Sequence, residues 1–189
     1  MTSYAPFPEA HDPGGHVVSW STWDAEHSDT VCIRWENEGF TVSGTATRER
    51  VDYVLRLSST WQVRQFILFR DLDEPDLWLA TDGAGRWGEM NGVHRTELDG
   101  CYDIHLGCTP FTATLPIRRL PLLDGHTAEL PVVHIDTDTL EVVAVTLRYT
   151  RLDTHHWRIE RADSDHVVEV EVDKHGVVVD HPGEFRRSS

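Results

Sequence analysis

The chain has 189 residues, 39% of them apolar and seven of them Trp, beneath a shell in which 26% are charged; that is enough for one packed domain and excludes wholesale disorder. Its net charge of −15, from 17 Lys and Arg against 32 Asp and Glu, excludes nucleic acid as a partner and repels anionic membrane surfaces. No apolar run approaches the ~18 residues of a bilayer span, the opening MTSYAPFPEAHDPGG has no basic-then-apolar leader, and Cys32, Cys101 and Cys108 are too few for a disulfide framework, so the expectation is a cytoplasmic protein with free thiols and no transmembrane segment.

Residues 1–15 carry three prolines and Gly14–Gly15 without apolar periodicity, which predicts a loose N-terminal arm. A single β domain is expected over 16–185, with a fraying C-terminal tail at 186–189. Val31, Ile33 and Trp35 alternate with Cys32, Arg34 and Glu36, and Val51, Tyr53, Leu55 and Leu57 form a second alternating set; both have the period of half-buried strands. GFTVSGTA reads as a further strand, and WQVRQFILFRD becomes apolar on both faces at Phe66 to Phe69, as a central strand does. LWLATDGAGRW, CYDIHLG, LPVVHID, LEVVAVTLRYTRL, HHWRIER, VVEVEVD and GVVVDHP follow at short spacing, which predicts an antiparallel meander. Helical signals are confined to DLDEP and TPFTATL, each long enough for a turn or a short helix. So many short strands must curl or close to hide their edges, and the expected fold is mostly β: one strongly curved antiparallel sheet, barrel-like or half-barrel.

Candidate chemistry is sparse. Gly83-Ala84-Gly85-Arg86-Trp87-Gly88 spells GxGxxG, but two further turn signals follow it instead of a helix, so Asp82-Gly83 reads as a hairpin turn rather than a dinucleotide site. Among twelve histidines the densest cluster is Cys101, His105 and Cys108. It lacks a paired CxxC, an HExxH or a distant partner pair to close a metal site, so no metal and no cofactor is expected. No GxSxG elbow appears, the carboxylates are too plentiful to single out a pair, and a non-catalytic protein is the stronger expectation.

The segment from Cys101 to Leu122 is the most distinctive. It reads as a strand, a Pro-containing loop and a second strand bearing Arg118 and Arg119. Neighbouring strand side chains point to opposite faces, so one arginine should turn inward and meet either a carboxylate, with Asp103 available, or an anionic ligand. Trp61, Trp78 and Trp87 are candidates to line an apolar cavity, or equally to fill the core.

DIHLGCTPFTATLPIRRLPL, LEVVAVTLRYTRLD and the closing VEVEVDKHGVVVDHPGEFRR, preceded by GFTVSGTA, TWQVR and DGAGRWGEMNG, resemble the bacterial "putative glycolipid-binding" family in content and order. The resemblance spans most of the chain. It implies a curved, barrel-like sheet related in shape to bacterial lipoprotein carriers, with a concave interior for lipid chains. The positions that match are Trp61, Arg64, Trp87, Asp103, Pro110, Leu115, Pro116, Ile117, Arg118, Arg119, Tyr149 and Arg151. From these the expected ligand-binding set is Trp61, Arg64, Trp87, Asp103, Arg118, Arg119, Tyr149 and Arg151. His105 stands where the family carries an acid and Ala113 where it carries an Asn, so a polar contact from either position is altered here.

The leading expectation is therefore binding of a glycolipid or other amphiphilic small molecule in a hydrophobic cavity. An enzyme acting on a sugar or lipid head group and a scaffold with a filled core are the alternatives. Strand edges of this kind fit a homodimer as well as a monomer.

Overall fold

The computed structural model describes residues 4–71 and 73–189. In chain order its strands are β1 (His16–Thr22), β2 (Ser28–Glu36), β3 (Gly39–Ala46), β4 (Val51–Ser58), β5 (Val63–Phe69), β6 (Leu77–Thr81), β7 (Trp87–Glu89), β8 (Asp103–Leu106), β9 (Thr127–Ile135), β10 (Val142–Arg151), β11 (His156–Arg161), β12 (Val167–Glu171), β13 (Asp180–His181) and β14 (Phe185–Arg187). A short helix, α1, covers Thr114–Arg119. Strand exceeds helix several-fold, 48% against 9%. The strands form a nine-stranded antiparallel sheet, ordered β13-β14-β1-β2-β3-β4-β5-β6-β7, and a five-stranded sheet, β12-β11-β10-β9-β8, that curls as a half-barrel within the same domain.

Period-2 patterning positions the interior. On β4, Val51, Tyr53, Leu55 and Leu57 are buried while Asp52 and Arg56 face solvent, and on β10 Val145, Leu147, Tyr149 and Arg151 turn inward together. Gly44 on β3 lies opposite Tyr53 on β4, and a Cβ there would stand 2.0 Å from the tyrosine ring. The missing side chain lets the ring cross β3, so that its hydroxyl donates to Asp29 Oδ1 on β2 at 3.3 Å.

Two apolar cores result. One is enclosed by the large sheet and includes Trp20, Leu55, Phe66 and Trp87; the other lies against the small sheet and includes Val132, Leu147, Tyr149 and Trp157. The helical segment around residues 111–119 is wedged between them. Phe111 and Leu115, one turn apart, join the first core; Ala113 and Ile117, on the opposite side of the same turns, join the second.

Four expectations are revised. The meander is interrupted where β8 pairs with β9 in parallel, Asp103 facing Val132 and Leu106 facing Ile135; a parallel pair needs a crossover, and α1 lies in it. The tandem arginines are the last residues of α1 rather than part of a strand, because TPFTATL extends its helical turn through Pro116 to Arg119. Of the expected loose arm, residues 1–3 lie outside the described residues, but from Tyr4 onward the segment packs: Phe7 and Ala10 are buried and Ala5 N–H donates to Lys174 O at 2.8 Å. Arg186 and Arg187 of the expected tail belong, with Phe185, to an interior strand of the large sheet, Trp20 pairing with Arg187, and beyond it Ser188 N–H donates to Ser19 O at 2.8 Å. The hairpin reading of Asp82-Gly83 holds. Thr81 pairs with Trp87, Asp82 Oδ1 accepts from Ala84 N–H at 2.7 Å, and Gly83 takes a φ of +81°. In DLDEP, Leu72 lies outside the described residues.

Candidate functional site

A pocket of about 680 Å3 opens beside the second core. Its apolar wall is made by Leu106, Leu147, Tyr149, Ile159, Val168 and Phe185, and Pro110 and Ala113 close it from the helical segment. Alternation along β10 sends Leu147 and Tyr149 to the same face, which is why both reach it. The remaining wall is polar. Arg48 comes from the turn after β3, His105 from β8, Arg161 from the end of β11, His166 from the turn before β12 and His181 from β13, with Asp163 and Glu184 at its edge.

Arg161 donates to Asp163 through Nε at 2.7 Å and through its terminal nitrogen at 3.2 Å. Arg48 pairs with Glu49 at 2.6 Å and lies 5.6 Å from the Phe185 ring centre. The rings of His105 and His134 stack, with their Nδ1 atoms 2.9 Å apart, so one ring donates and the other accepts. Burial, with the positive charges of His134 and Arg161 next, pulls His105 down to about 4; burial likewise lowers His134 and His181. His181 Nδ1 is buried with no hydrogen-bond partner among the described residues, its nearest carboxylate oxygen, on Glu184, being 3.8 Å away.

Of the eight residues proposed from the sequence, Tyr149 lines this pocket. The others fall into pairs and single contacts elsewhere. Arg119 donates to the wholly buried carboxylate of Asp103. Arg118 lies over Trp61 at 4.4 Å and over Phe7 at 4.8 Å, and donates to the carbonyls of Ala5 and His175. Trp87 is buried, its indole N–H donating to Cys101 O at 2.9 Å. Arg64 is exposed and donates to Asp82 O at 3.2 Å. Arg151 is buried among Asp124, Leu122 O and Asp153 O. Trp78 lines a second, shallower groove with Leu77, Met90, Arg95 and Leu140.

His105 and Ala113 both line the pocket. Cys101 and Cys108 are buried thiols, Cys101 pushed up to about 11 by burial, and no group of three His, Cys, Asp or Glu converges among the described residues. Sequence reasoning missed Asp29, which is fully buried, accepts from Thr109 and Tyr53, and is pushed up to about 7 by burial. The alternation that assigned Val31 and Ile33 to the interior extends back to Asp29, so the signal was there.

The family model described as "Putative glycolipid-binding" matches residues 17–187. The chain belongs to this family. A crystal structure of a DUF1089 family protein from Pseudomonas aeruginosa is 34% identical, covers 88% of this chain and 92% of its own, and superposes with a TM-score of 0.71. No curated protein matches the chain. Membership agrees with the segments that carried the resemblance, from GFTVSGTA to the closing VEVEVDKHGVVVDHPGEFRR. Among the described residues, no helix is long and apolar enough to cross a membrane.

Proposed function

We propose that the chain binds an amphiphilic small molecule, its apolar part against the pocket's aliphatic and aromatic wall and its head toward the polar wall. The observation that carries this reading is the pocket itself: about 680 Å3, walled on one side by Leu106, Leu147, Tyr149, Ile159, Val168 and Phe185, within the range of ligand sites in general. Each methylene buried there contributes about 0.8 kcal/mol before the cost of ordering the ligand is subtracted. The family description supports the same reading and suggests a glycolipid as the class of ligand. Trp61, Trp87 and the Arg119–Asp103 pair then act by holding the walls, with Tyr149 in direct contact.

The test is lipid-extract mass spectrometry on natively purified protein against a denatured and refolded control, followed by displacement of a hydrophobic fluorophore. Ala113→Phe fills the pocket from the helical segment and should abolish both retention and displacement, with circular dichroism checking that the variant still folds. Equal fluorophore binding by the parent and the filled variant would remove the pocket as the site.

A further inference from the structure

Acids outnumber Lys and Arg by 32 to 17 along the chain, whereas the polar wall of the pocket holds two arginines against two acids and adds three histidines. Arg48, His105, Arg161, His166 and His181 face it, against Asp163 and Glu184 alone. Asp163 is engaged by two bonds from Arg161, and Glu184 stands 3.8 Å from the nearest histidine nitrogen. These five donors come from four strand termini or turns and one strand, and no short-range sequence constraint puts them together. We propose that the head group the pocket takes is an oxyanion, a carboxylate or a phosphate, bound by this histidine–arginine wall. This deepens the amphiphile reading and rests on it.

Three features point to an anion rather than a neutral sugar. First, His181 Nδ1 is buried and lacks a partner among the described residues; a protonated ring would present it as a donor to an incoming oxygen. Second, the His105–His134 contact, with Nδ1 atoms 2.9 Å apart, accommodates one added proton without loss, since a protonated ring still donates to the neutral ring's Nδ1. Third, the groups that act on His105 are an arginine and three histidines, while the acids act on His134 and His181. His105 is faced by His134, Arg161, His166 and His181. His134 meets Arg161 together with Asp136, Glu141 and Asp163, and His181 meets His166 and Glu184. Burial disfavours the charged forms of His105, His134 and His181, and an oxyanion beside them would offset that penalty, so binding draws in a proton. A neutral glycoside would leave that penalty in place.

The experiment compares three ligands of equal chain length, dodecanoate, dodecyl phosphate and dodecyl maltoside, by calorimetric titration at pH 6 and pH 8 in two buffers of different ionisation enthalpy. The expected result is that one or both anions bind at least roughly tenfold tighter than the maltoside at pH 6, weaken toward pH 8 and take up protons. The two anionic arms distinguish a carboxylate head from a phosphate head. His166 is exposed, so His166→Gln should fold normally and weaken the anions several-fold relative to the maltoside. Equal, pH-independent affinity for all three overturns the oxyanion assignment while leaving the amphiphile reading standing. No binding by any of them overturns that reading as well.

Discussion

Asp103, with no exposure to solvent, takes its hydrogen bonds from Arg119, sixteen residues further on and one element away. The pair ties the last turn of α1 to the start of β8, so it fixes the wedge between the two cores. Burial raises the Asp103 carboxyl, and the arginine opposes that rise. Arg119→Met would leave a buried acid without its cation and should cost about 3–5 kcal/mol in urea unfolding. The double variant Asp103→Leu with Arg119→Met should recover most of the loss; a double variant as unstable as the single one would mean that the wedge, and not the charge, is what the substitution damages.

Phe7 stacks on His175 at 4.7 Å and packs on Trp61 at 5.4 Å, beneath the Arg118 guanidinium. Phe7→Ala should destabilise the protein by about 3 kcal/mol and shift Trp61 fluorescence to the red, with faster proteolytic cleavage ahead of β1. Unchanged protection of the first fifteen residues would show that the Ala5 and Arg118 contacts hold the segment without the ring.

Burial pushes the Asp29 carboxyl up to about 7, well above its ordinary value. Between pH 4 and 7 the folded state therefore holds a proton that the unfolded state has lost. Stability contributed by this group is full below pH 4, falls as pH rises and is gone above about 7, a span on the order of 4 kcal/mol at most. Asp29→Asn should flatten that slope, measured as unfolding free energy across pH 4 to 8.

His105 works in the opposite direction. Its folded value of about 4 lies below that of an unfolded histidine, so its contribution is present at pH 7 and is lost as pH falls toward 4, by roughly 2 kcal/mol after allowance for solvent screening. His105→Phe should therefore stabilise the protein selectively at pH 5. A variant whose gain is the same at pH 5 and pH 8 would trace the effect to packing instead.

Gly44→Ala places a methyl group into the Tyr53 ring. The expected cost is about 2–3 kcal/mol, together with loss of the Tyr53–Asp29 hydrogen bond, visible as an altered near-ultraviolet dichroism of tyrosine.

The strands were legible because a pleated backbone with one wet face imposes a period of two, which β4 obeys from Val51 to Leu57. Of the helix only the start was legible, through TPFTATL; its extension to Arg119 was not, because α1 is six residues long, too short for a 3.6-residue period to repeat, and apolar on two sides because it meets two cores. Arg118 and Arg119 were recognised as distinctive and Asp103 as a partner. Which arginine took it depended on helical rather than strand geometry. The pocket's polar wall was out of reach for a different reason: His105, His166 and His181 lie on separate elements far apart in the chain, and His181 belongs to the other sheet.

That β14 lies beside β1 sets a constraint on biogenesis. Thr22 meets Phe185 across about 160 residues of chain, so β1 emerges from the ribosome long before its neighbour exists, and one edge of the growing sheet stays open throughout synthesis. Val17 on that strand is exposed even in the finished fold. A nascent chain arrested before residue 185 presents an unpaired strand edge, the kind of surface on which chaperones act and through which incomplete copies aggregate.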